Sequence, residues 1–172
     1  MKVQQVMSSP VKSCRVSDTL DCAAAILWDH DCGCVPVIDD SGKAVGMVTD
    51  RDICMAAYTQ GKALRDIRVA SAMSRQVWTC HPDDPIATAE HVFQARQVRR
   101  LPVIDGGGRV VGLLSLNDLA RQAATERSKN RREVTDAEVG TVLAAIGVPR
   151  APSREVATRS PMAPVAMAAA DA

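Results

Sequence analysis

Residues 45–54, VGMVTDRDIC, decide the fold of this chain because residues 111–120, VGLLSLNDLA, repeat their pattern. Each stretch reads Val-Gly, two apolar residues, a hydroxyl residue, two variable residues, Asp and a branched apolar residue. The two stretches lie 66 positions apart, which is too far for a local motif. A repeat at this distance indicates that a whole structural unit is duplicated.

The duplication extends over most of the chain. Residues 1–60 align with residues 67–126 without a gap, and seventeen pairs are identical, where chance would give only a few. We define repeat 1 as residues 1–66 and repeat 2 as residues 67–127. A unit of this size does not bury its apolar face alone, so we expect the two repeats to pack together about a pseudo-two-fold axis.

The same order of elements is predicted for both repeats. Strands are predicted at 11–14, 35–38 and 44–48 in repeat 1 and at 77–80, 101–104 and 110–114 in repeat 2. We expect Asp18 and Asp84 to cap the first helices, with Pro85 at the first helical position, and these helices to end near residues 29 and 95. Turns at 39–42 and 105–108 and second helices after Thr49 and Ser115 complete a β-α-β-β-α order. The predicted fold class is α/β (α+β).

The repeat pattern ends before residue 128. Residues 128–148 are predicted to form a polar linker and an amphipathic helix, which a capping box at Thr135 and Glu138 opens. This helix is the best candidate for contacting a partner or covering a dimer. Residues 149–172 are rich in Ala, Pro, Ser and Met, and we expect them to be disordered.

Composition excludes several classes of protein. A net charge of +1 and an aromatic content of 2% argue against a nucleic-acid-binding surface. There is no run of about 18–20 apolar residues for a membrane span and no secretory signal at the start, so we expect a cytoplasmic protein. The six cysteines then do not indicate a disulfide framework.

The motifs in order resemble a tandem pair of CBS (cystathionine-β-synthase-type) domains, a Bateman module. The motifs are VMSSPV and AMSRQV, CVPVID and RRLPVID, and GMVTDRD and GLLSLND, and the resemblance covers residues 1–126. It implies a non-enzymatic regulator that binds AMP, ADP, ATP, NAD or S-adenosylmethionine between the repeats and needs no cofactor. It also implies a disc-like homodimer with an unidentified protein target, similar to small stand-alone two-CBS bacterial proteins of stress-response type.

The resemblance implies the roles of eight residues. Asp52 and Asp118 would accept hydrogen bonds from ribose hydroxyls. The remaining six would contact phosphate or ribose: Thr49, Arg51, Ser115, Asn117, Arg99 and Arg100.

Local spacing offers a second interpretation of the two aspartates. In Thr49-x-x-Asp52 and Ser115-x-x-Asp118 the carboxylate can close a capping box and needs no ligand, although both roles can coexist. The repeats also differ, because Arg99-Arg100 stands where repeat 1 has Gly33-Cys34. We therefore expect one competent site rather than two equivalent ones.

Two other functions stay open. Cys32 and Cys34, with His30 nearby, are weak candidates for a zinc or redox sensor, because the usual C-x-x-C spacing and a second ligand cluster are missing. The chain could also act as a ligand-free dimeric scaffold or stress protein. No nucleophile elbow, phosphate-binding loop or catalytic acid pair is present, so we predict that it is not an enzyme.

Overall fold

The structure is a computed structural model, and it describes residues 1–128 and 132–149. The predicted disordered tail at 149–172 lies, apart from Pro149, outside the described residues. Within the described ranges, no helix is both long and apolar enough to cross a bilayer.

Both repeats fold with mixed helices and strands, which confirms the predicted class. Repeat 1 contains β1 (Cys14–Arg15), α1 (Leu20–Asp29), β2 (Cys34–Ile38), β3 (Ala44–Thr49) and α2 (Asp50–Gln60). Repeat 2 contains α3 (Ile86–Arg96), β4 (Arg100–Ile104), β5 (Val110–Ser115) and α4 (Leu116–Glu126), and α5 (Asp136–Gly147) follows it. Short 3-10 turns lie at Val3–Gln5, Leu64–Asp66 and Val69–Ser71.

The sheets match between the repeats except at their first strand. The hairpins β2–β3 and β4–β5 are antiparallel, with Val37 opposite Gly46 and Val103 opposite Gly112. β1 pairs parallel with β2, but it starts at Cys14, later than the predicted strand at 11–14. The strand predicted at 77–80 is wrong, because only Cys80 makes a bridge, to Val103.

The predicted caps of the first helices are wrong by one residue. α1 is capped at Thr19 and α3 at Pro85. Asp18 and Asp84 instead accept hydrogen bonds of 2.7 Å from the backbone N–H groups three residues earlier. Each carboxylate therefore stabilises the turn that leads into the helix, and the helix starts after it.

The first residues of each repeat pack against the other repeat. Val3 is fully buried with Phe93 and Leu101 of repeat 2, while Val69 is fully buried with Leu20 of repeat 1. The backbone continues this exchange, since Ser8 bridges to β5 and Ser74 bridges to β3. The repeat boundaries at residues 66 and 127 remain a prediction. Each of the two hydrophobic cores contains residues from both repeats.

Two glycines make this exchange possible. A Cβ atom at Gly112 would lie 2.6 Å from the Met7 sulfur, and one at Gly46 would lie 2.6 Å from the Met73 sulfur. No side chain is tolerated at such distances without a shift of the neighbouring segment. The Val-Gly pair of the duplicated stretch therefore lets the incoming segment lie close against the sheet.

The helix after the repeats covers one side of repeat 2. The capping box at Thr135 forms as predicted, and α5 packs against α3 and α4 with Val142 fully buried. The buried carboxylate of Glu126 accepts hydrogen bonds from the N–H groups of Glu133 (2.7 Å) and Val134 (3.1 Å), which holds the approach to α5 in place. The helix that we considered for partner contact thus covers its own chain.

Candidate functional site

A cleft of about 600 Å³ lies between the repeats and takes residues from both. β5 and the start of α4 form one side of it, and the segments around residues 8–12 and 30–34 form the other. It is lined by Ser8, Pro10, Val11, Lys12, His30, Asp31, Cys32, Gly33, Cys34, Arg100, Leu113, Ser115, Asn117, Asp118 and Arg121. Four of the eight predicted site residues, Asp118, Ser115, Asn117 and Arg100, therefore meet in one cavity.

Asp118 is only 4% exposed, and both of its oxygens have partners. Its Oδ2 closes the capping box by accepting from the Ser115 N–H (2.7 Å) and hydroxyl (2.6 Å). Its Oδ1 accepts from the Arg121 guanidinium and, at 3.4 Å, from the Ser8 hydroxyl. The capping interpretation is correct for Oδ2, and Oδ1 faces the groups that line the cleft.

Asp52 makes the same cap in repeat 1. Its Oδ2 accepts from the Thr49 N–H (2.9 Å) and hydroxyl (2.7 Å). Thr49, Arg51 and Asp52 line none of the cavities described here, in contrast to their counterparts in repeat 2.

The pseudo-symmetric position of the large cleft holds a smaller cavity. Trp78 stands at the register of Lys12, and the Arg96 guanidinium lies 3.9 Å from the centre of its ring. The remaining cavity measures about 310 Å³ and is lined by Ser74, Gln76, Trp78, Ala95, Arg96 and Val98. The two clefts are therefore not equivalent, and the cation–π pair occupies space in the smaller one.

The two consecutive arginines both lie near the start of α4, and only Arg100, the first residue of β4, reaches the large cleft. Arg100 lines the large cleft and lies close to Gly33, where a Cβ atom would come within 3.0 Å of its guanidinium. Arg99 lines an adjoining cavity of about 270 Å³, which it shares with Arg100, Ser115, Leu116, Asn117 and Leu143. Cationic groups thus lie on both sides of the start of α4.

Sequence reasoning missed four polar residues of the cleft, Ser8, Lys12, Asp31 and Arg121, and named His30 only beside the cysteines of the zinc or redox candidate. A signal for two of them exists in the repeat alignment. Lys12 corresponds to Trp78 and Arg121 corresponds to Met55, so both positions are charged in one repeat only. The lining carries three cationic side chains, Lys12, Arg100 and Arg121, against two carboxylates, Asp31 and Asp118.

Cys32 and Cys34 also line the cleft, but their surroundings do not resemble a metal site. Burial raises the pKa of the Cys34 thiol to about 11, although the charge of Arg100 lowers it slightly. The Cys32 thiol donates to the Ile26 carbonyl oxygen at 3.8 Å. Within residues 1–128 and 132–149, no group of three His, Cys, Asp or Glu side chains is arranged to hold a metal ion.

Thiol labelling should separate the cysteines into two groups. Burial raises the pKa of Cys14 and Cys34 to about 11 and that of Cys80 to about 12, so at pH 8 roughly one thiol in a thousand or fewer is a reactive thiolate. Exposed Cys22 and Cys54 should react rapidly with a disulfide reagent, and the three buried thiols should react only in denaturant. Cys22→Ser and Cys54→Ser should each remove one fast equivalent. Rapid labelling of Cys34 in the native protein would contradict this assignment.

The profile of the CBS domain family matches residues 3–58 and 64–124, which together make up more than half of the chain. This chain belongs to the CBS domain family. The two matches correspond to the two repeats, so the molecule is a CBS pair.

A relative of comparable size is the CBS domain-containing protein YhcV of Bacillus subtilis (strain 168). It is 31% identical over 118 residues, which cover 69% of this chain and 82% of YhcV. Other relatives are larger: the match covers only 23% of the homoserine O-acetyltransferase of Methanococcoides burtonii, at 31% identity over 119 residues. The chain thus spans about a quarter of that enzyme, and the enzyme's activity does not transfer with the match.

Solved CBS pairs have the same fold. The CBS domain pair of protein MJ0100, in complex with 5'-methylthioadenosine and S-adenosyl-L-methionine, superposes with a TM-score of 0.67 at 28% identity. The alignment covers 74% of this chain and 98% of that one. Hypoxic Response Protein I, with two coordinated zinc ions, gives a TM-score of 0.64 at 28% identity over 70% of this chain and 98% of that one.

Proposed function

We propose that this CBS pair is a regulatory module that binds one anionic, adenosine-containing ligand per chain in the large cleft beside Asp118. The observation that carries the proposal is the difference between the two clefts. One cleft is roomy and holds a buried carboxylate with three cationic side chains, and the other is narrowed by Trp78 and Arg96. The solved MJ0100 pair, with its two adenosyl compounds, supports the adenosine part of this ligand, and the proposed negative charge rests on the charge of the cleft.

Asp118 would bind the ribose. A carboxylate has about four acceptor positions, so Oδ1 can accept from ribose hydroxyls while Oδ2 keeps the capping box. The Arg121 guanidinium, which now donates to Oδ1, would move aside within the cleft. Its side chain is largely exposed, so this movement costs little packing.

The net positive charge of the cleft would favour a negatively charged group, such as a phosphate, on the part of the ligand beyond the ribose. Lys12, Arg100 and Arg121 outnumber the two carboxylates, and Arg99 adds a fourth cation in the adjoining cavity. The N–H groups at the start of α4 also favour an anion. AMP, ADP, ATP and NAD therefore fit the cleft better than S-adenosylmethionine, whose sulfonium is cationic.

The proposed module acts without catalysis and without a required cofactor. Because the ligand touches both repeats, it would favour the relative arrangement of the repeats that it binds more tightly. We place this module in the cytoplasm as a homodimer that passes the change to a protein target. Neither nucleic acid nor membrane is part of the proposal.

Isothermal titration calorimetry on the purified chain tests the ligand, with AMP, ADP, ATP, NAD, adenosine and S-adenosylmethionine as arms. We expect one site per chain, tighter binding of the nucleotides than of adenosine, and weaker nucleotide binding at high salt. In a thermal unfolding experiment, a ligand at one hundred times its dissociation constant should raise the free energy of unfolding by about 2.7 kcal/mol.

The absence of binding in every arm would overturn the proposal and favour the ligand-free scaffold. A titration with zinc tests the cysteine-based sensor. Hypoxic Response Protein I, whose structure is similar to this one, contains two coordinated zinc ions. Zinc binding that disappears in the Cys32→Ser, Cys34→Ser double variant would favour the cysteine-based sensor.

A further inference from the structure

The carboxylate that would bind the ribose already has partners within the chain. The Oδ1 atom of Asp118, which the capping box leaves over, accepts from the Arg121 guanidinium and, at 3.4 Å, from the Ser8 hydroxyl. Arg121 lies one turn after Asp118 on α4, so the two side chains share one side of the helix. A ribose that uses Oδ1 must therefore displace Arg121 from it.

Repeat 1 has the same aspartate without this arginine. Asp52 closes an equivalent capping box through its Oδ2 atom, and the residue three positions later is Met55. The capping box therefore does not require a cation at that position. The arginine occurs in the repeat whose aspartate lines the large cleft, which indicates that it serves the cleft and not the helix.

We propose that Arg121 is a specificity-determining residue, because it competes with the ribose for Asp118 and, once displaced, binds a phosphate of the ligand. This inference rests on the proposed function, and it gives Arg121 a role beyond its contribution to the positive charge of the cleft. In the structure Arg121 pairs with Asp118, and in the complex it would pair with the phosphate.

A neutral nucleoside such as adenosine gains little from this exchange. Its hydroxyls can donate to Oδ1 of Asp118, but they bring no positive charge, so the buried carboxylate loses the cation that compensated its charge. The displaced guanidinium returns to water, which it can do because the Arg121 side chain is 71% exposed. Adenosine therefore binds at the expense of one ion pair.

A nucleoside phosphate replaces the lost ion pair with a new one. The guanidinium group is planar, and its paired N–H donors match two oxygens of a phosphate. Arg121 lines the same cleft as Lys12 and Arg100, so the phosphate meets three cations there. The exchange of partners thus selects phosphorylated ligands over adenosine more strongly than charge attraction alone.

The salt dependence of binding to the wild-type chain is the first test. A higher ionic strength screens the pair between Asp118 and Arg121, so adenosine should bind more tightly as salt is added. AMP should bind more weakly, because salt also screens its phosphate from the cations of the cleft. Calorimetric titration of the purified full chain with each ligand, at low and at high sodium chloride, measures both trends.

Arg121→Met, which introduces the residue of repeat 1, tests the exchange directly. We expect adenosine to bind about fivefold more tightly and AMP about fivefold more weakly, so that the preference for AMP falls about 25-fold. The salt dependence of adenosine binding should disappear with the arginine. Arg121→Lys keeps a cation without the paired donors, and it should still bind AMP more tightly than adenosine.

Arg65→Met is the matched control, because Arg65 is exposed and lies outside the large cleft and both smaller cavities. It removes the same charge from the chain and should leave both affinities unchanged. The gain for adenosine should also require Asp118, so adding Arg121→Met to Asp118→Asn should not improve adenosine binding.

Two results would overturn the role of Arg121. One is an equal change, or no change, in the affinities for AMP and adenosine in Arg121→Met. The other is a gain for adenosine that persists when Asp118 is replaced by Asn. If the wild-type chain binds neither AMP nor adenosine, the proposed function itself fails, whereas AMP binding that is indifferent to Arg121→Met refutes only the role of this arginine.

Discussion

Asp118→Asn should reduce the affinity for AMP by about one hundredfold, because a buried carboxylate that accepts from hydroxyl donors is worth roughly 2–3 kcal/mol. The amide keeps one oxygen for the capping box, but its nitrogen cannot accept from a ribose hydroxyl. The substitution also removes the charge that pairs with Arg121. Calorimetric titration with AMP measures the loss, and the thermal shift caused by AMP should disappear with it.

Asp52→Asn is the matched control for this result. Asp52 closes the same capping box in repeat 1, so both variants should lose a similar amount of stability, about 1 kcal/mol. Only Asp118 lines the large cleft, so Asp52→Asn should bind AMP as the wild type does. Normal binding by Asp118→Asn would eliminate the ribose assignment. Equal losses in both variants would show that two clefts bind ligand.

Phe93→Ala should destabilise the chain by about 3–5 kcal/mol, the range measured for removing a buried aromatic ring. Phe93 is fully buried on α3 and belongs to a cluster that joins the start of the chain, β4, α4 and α5. Its removal leaves a cavity where these four segments meet. For a chain of this length the melting temperature should fall by roughly 10 °C, which calorimetry detects easily.

Leu27→Ala is the corresponding change in repeat 1. Leu27 aligns with Phe93, but it lines an apolar groove of about 430 Å³ between α1 and α2 and is only partly buried, so its loss should cost about 1–2 kcal/mol. Equal losses of stability in Phe93→Ala and Leu27→Ala would mean that α5 does not cover the core of repeat 2 as it does in the structure.

The local parts of the fold could be predicted because they depend on nearby residues. The turns at 39–42 and 105–108, the helix starts after Thr49 and Ser115 and the capping box at Thr135 all form as predicted. The caps at Asp18 and Asp84 were wrong because an aspartate there can bond either to the helix or to the turn before it, and the spacing does not distinguish the two.

The candidate site was only partly predictable for a related reason. Motif positions led to Asp118, Ser115, Asn117 and Arg100, and the register comparison indicated that the two sites would differ. Ser8, Lys12 and His30 come from other segments and reach the cleft only through packing, and although Ser8 belongs to the VMSSPV motif, that motif gave no site residue.

The sequence by itself determined the duplication and most of the order of elements in each repeat, since both follow from spacing along the chain, and the proposed kind of ligand comes from the resemblance of its motifs to CBS pairs. Only the tertiary structure decided which segment packs on which repeat, because Val3 and Val69 each bury their side chains in the other repeat's core. It also decided that Trp78 and Arg96 narrow one cleft and that α5 covers one helical face while the other stays open. These outcomes depend on the volumes that remain when distant segments meet, and no local pattern of residues encodes those volumes.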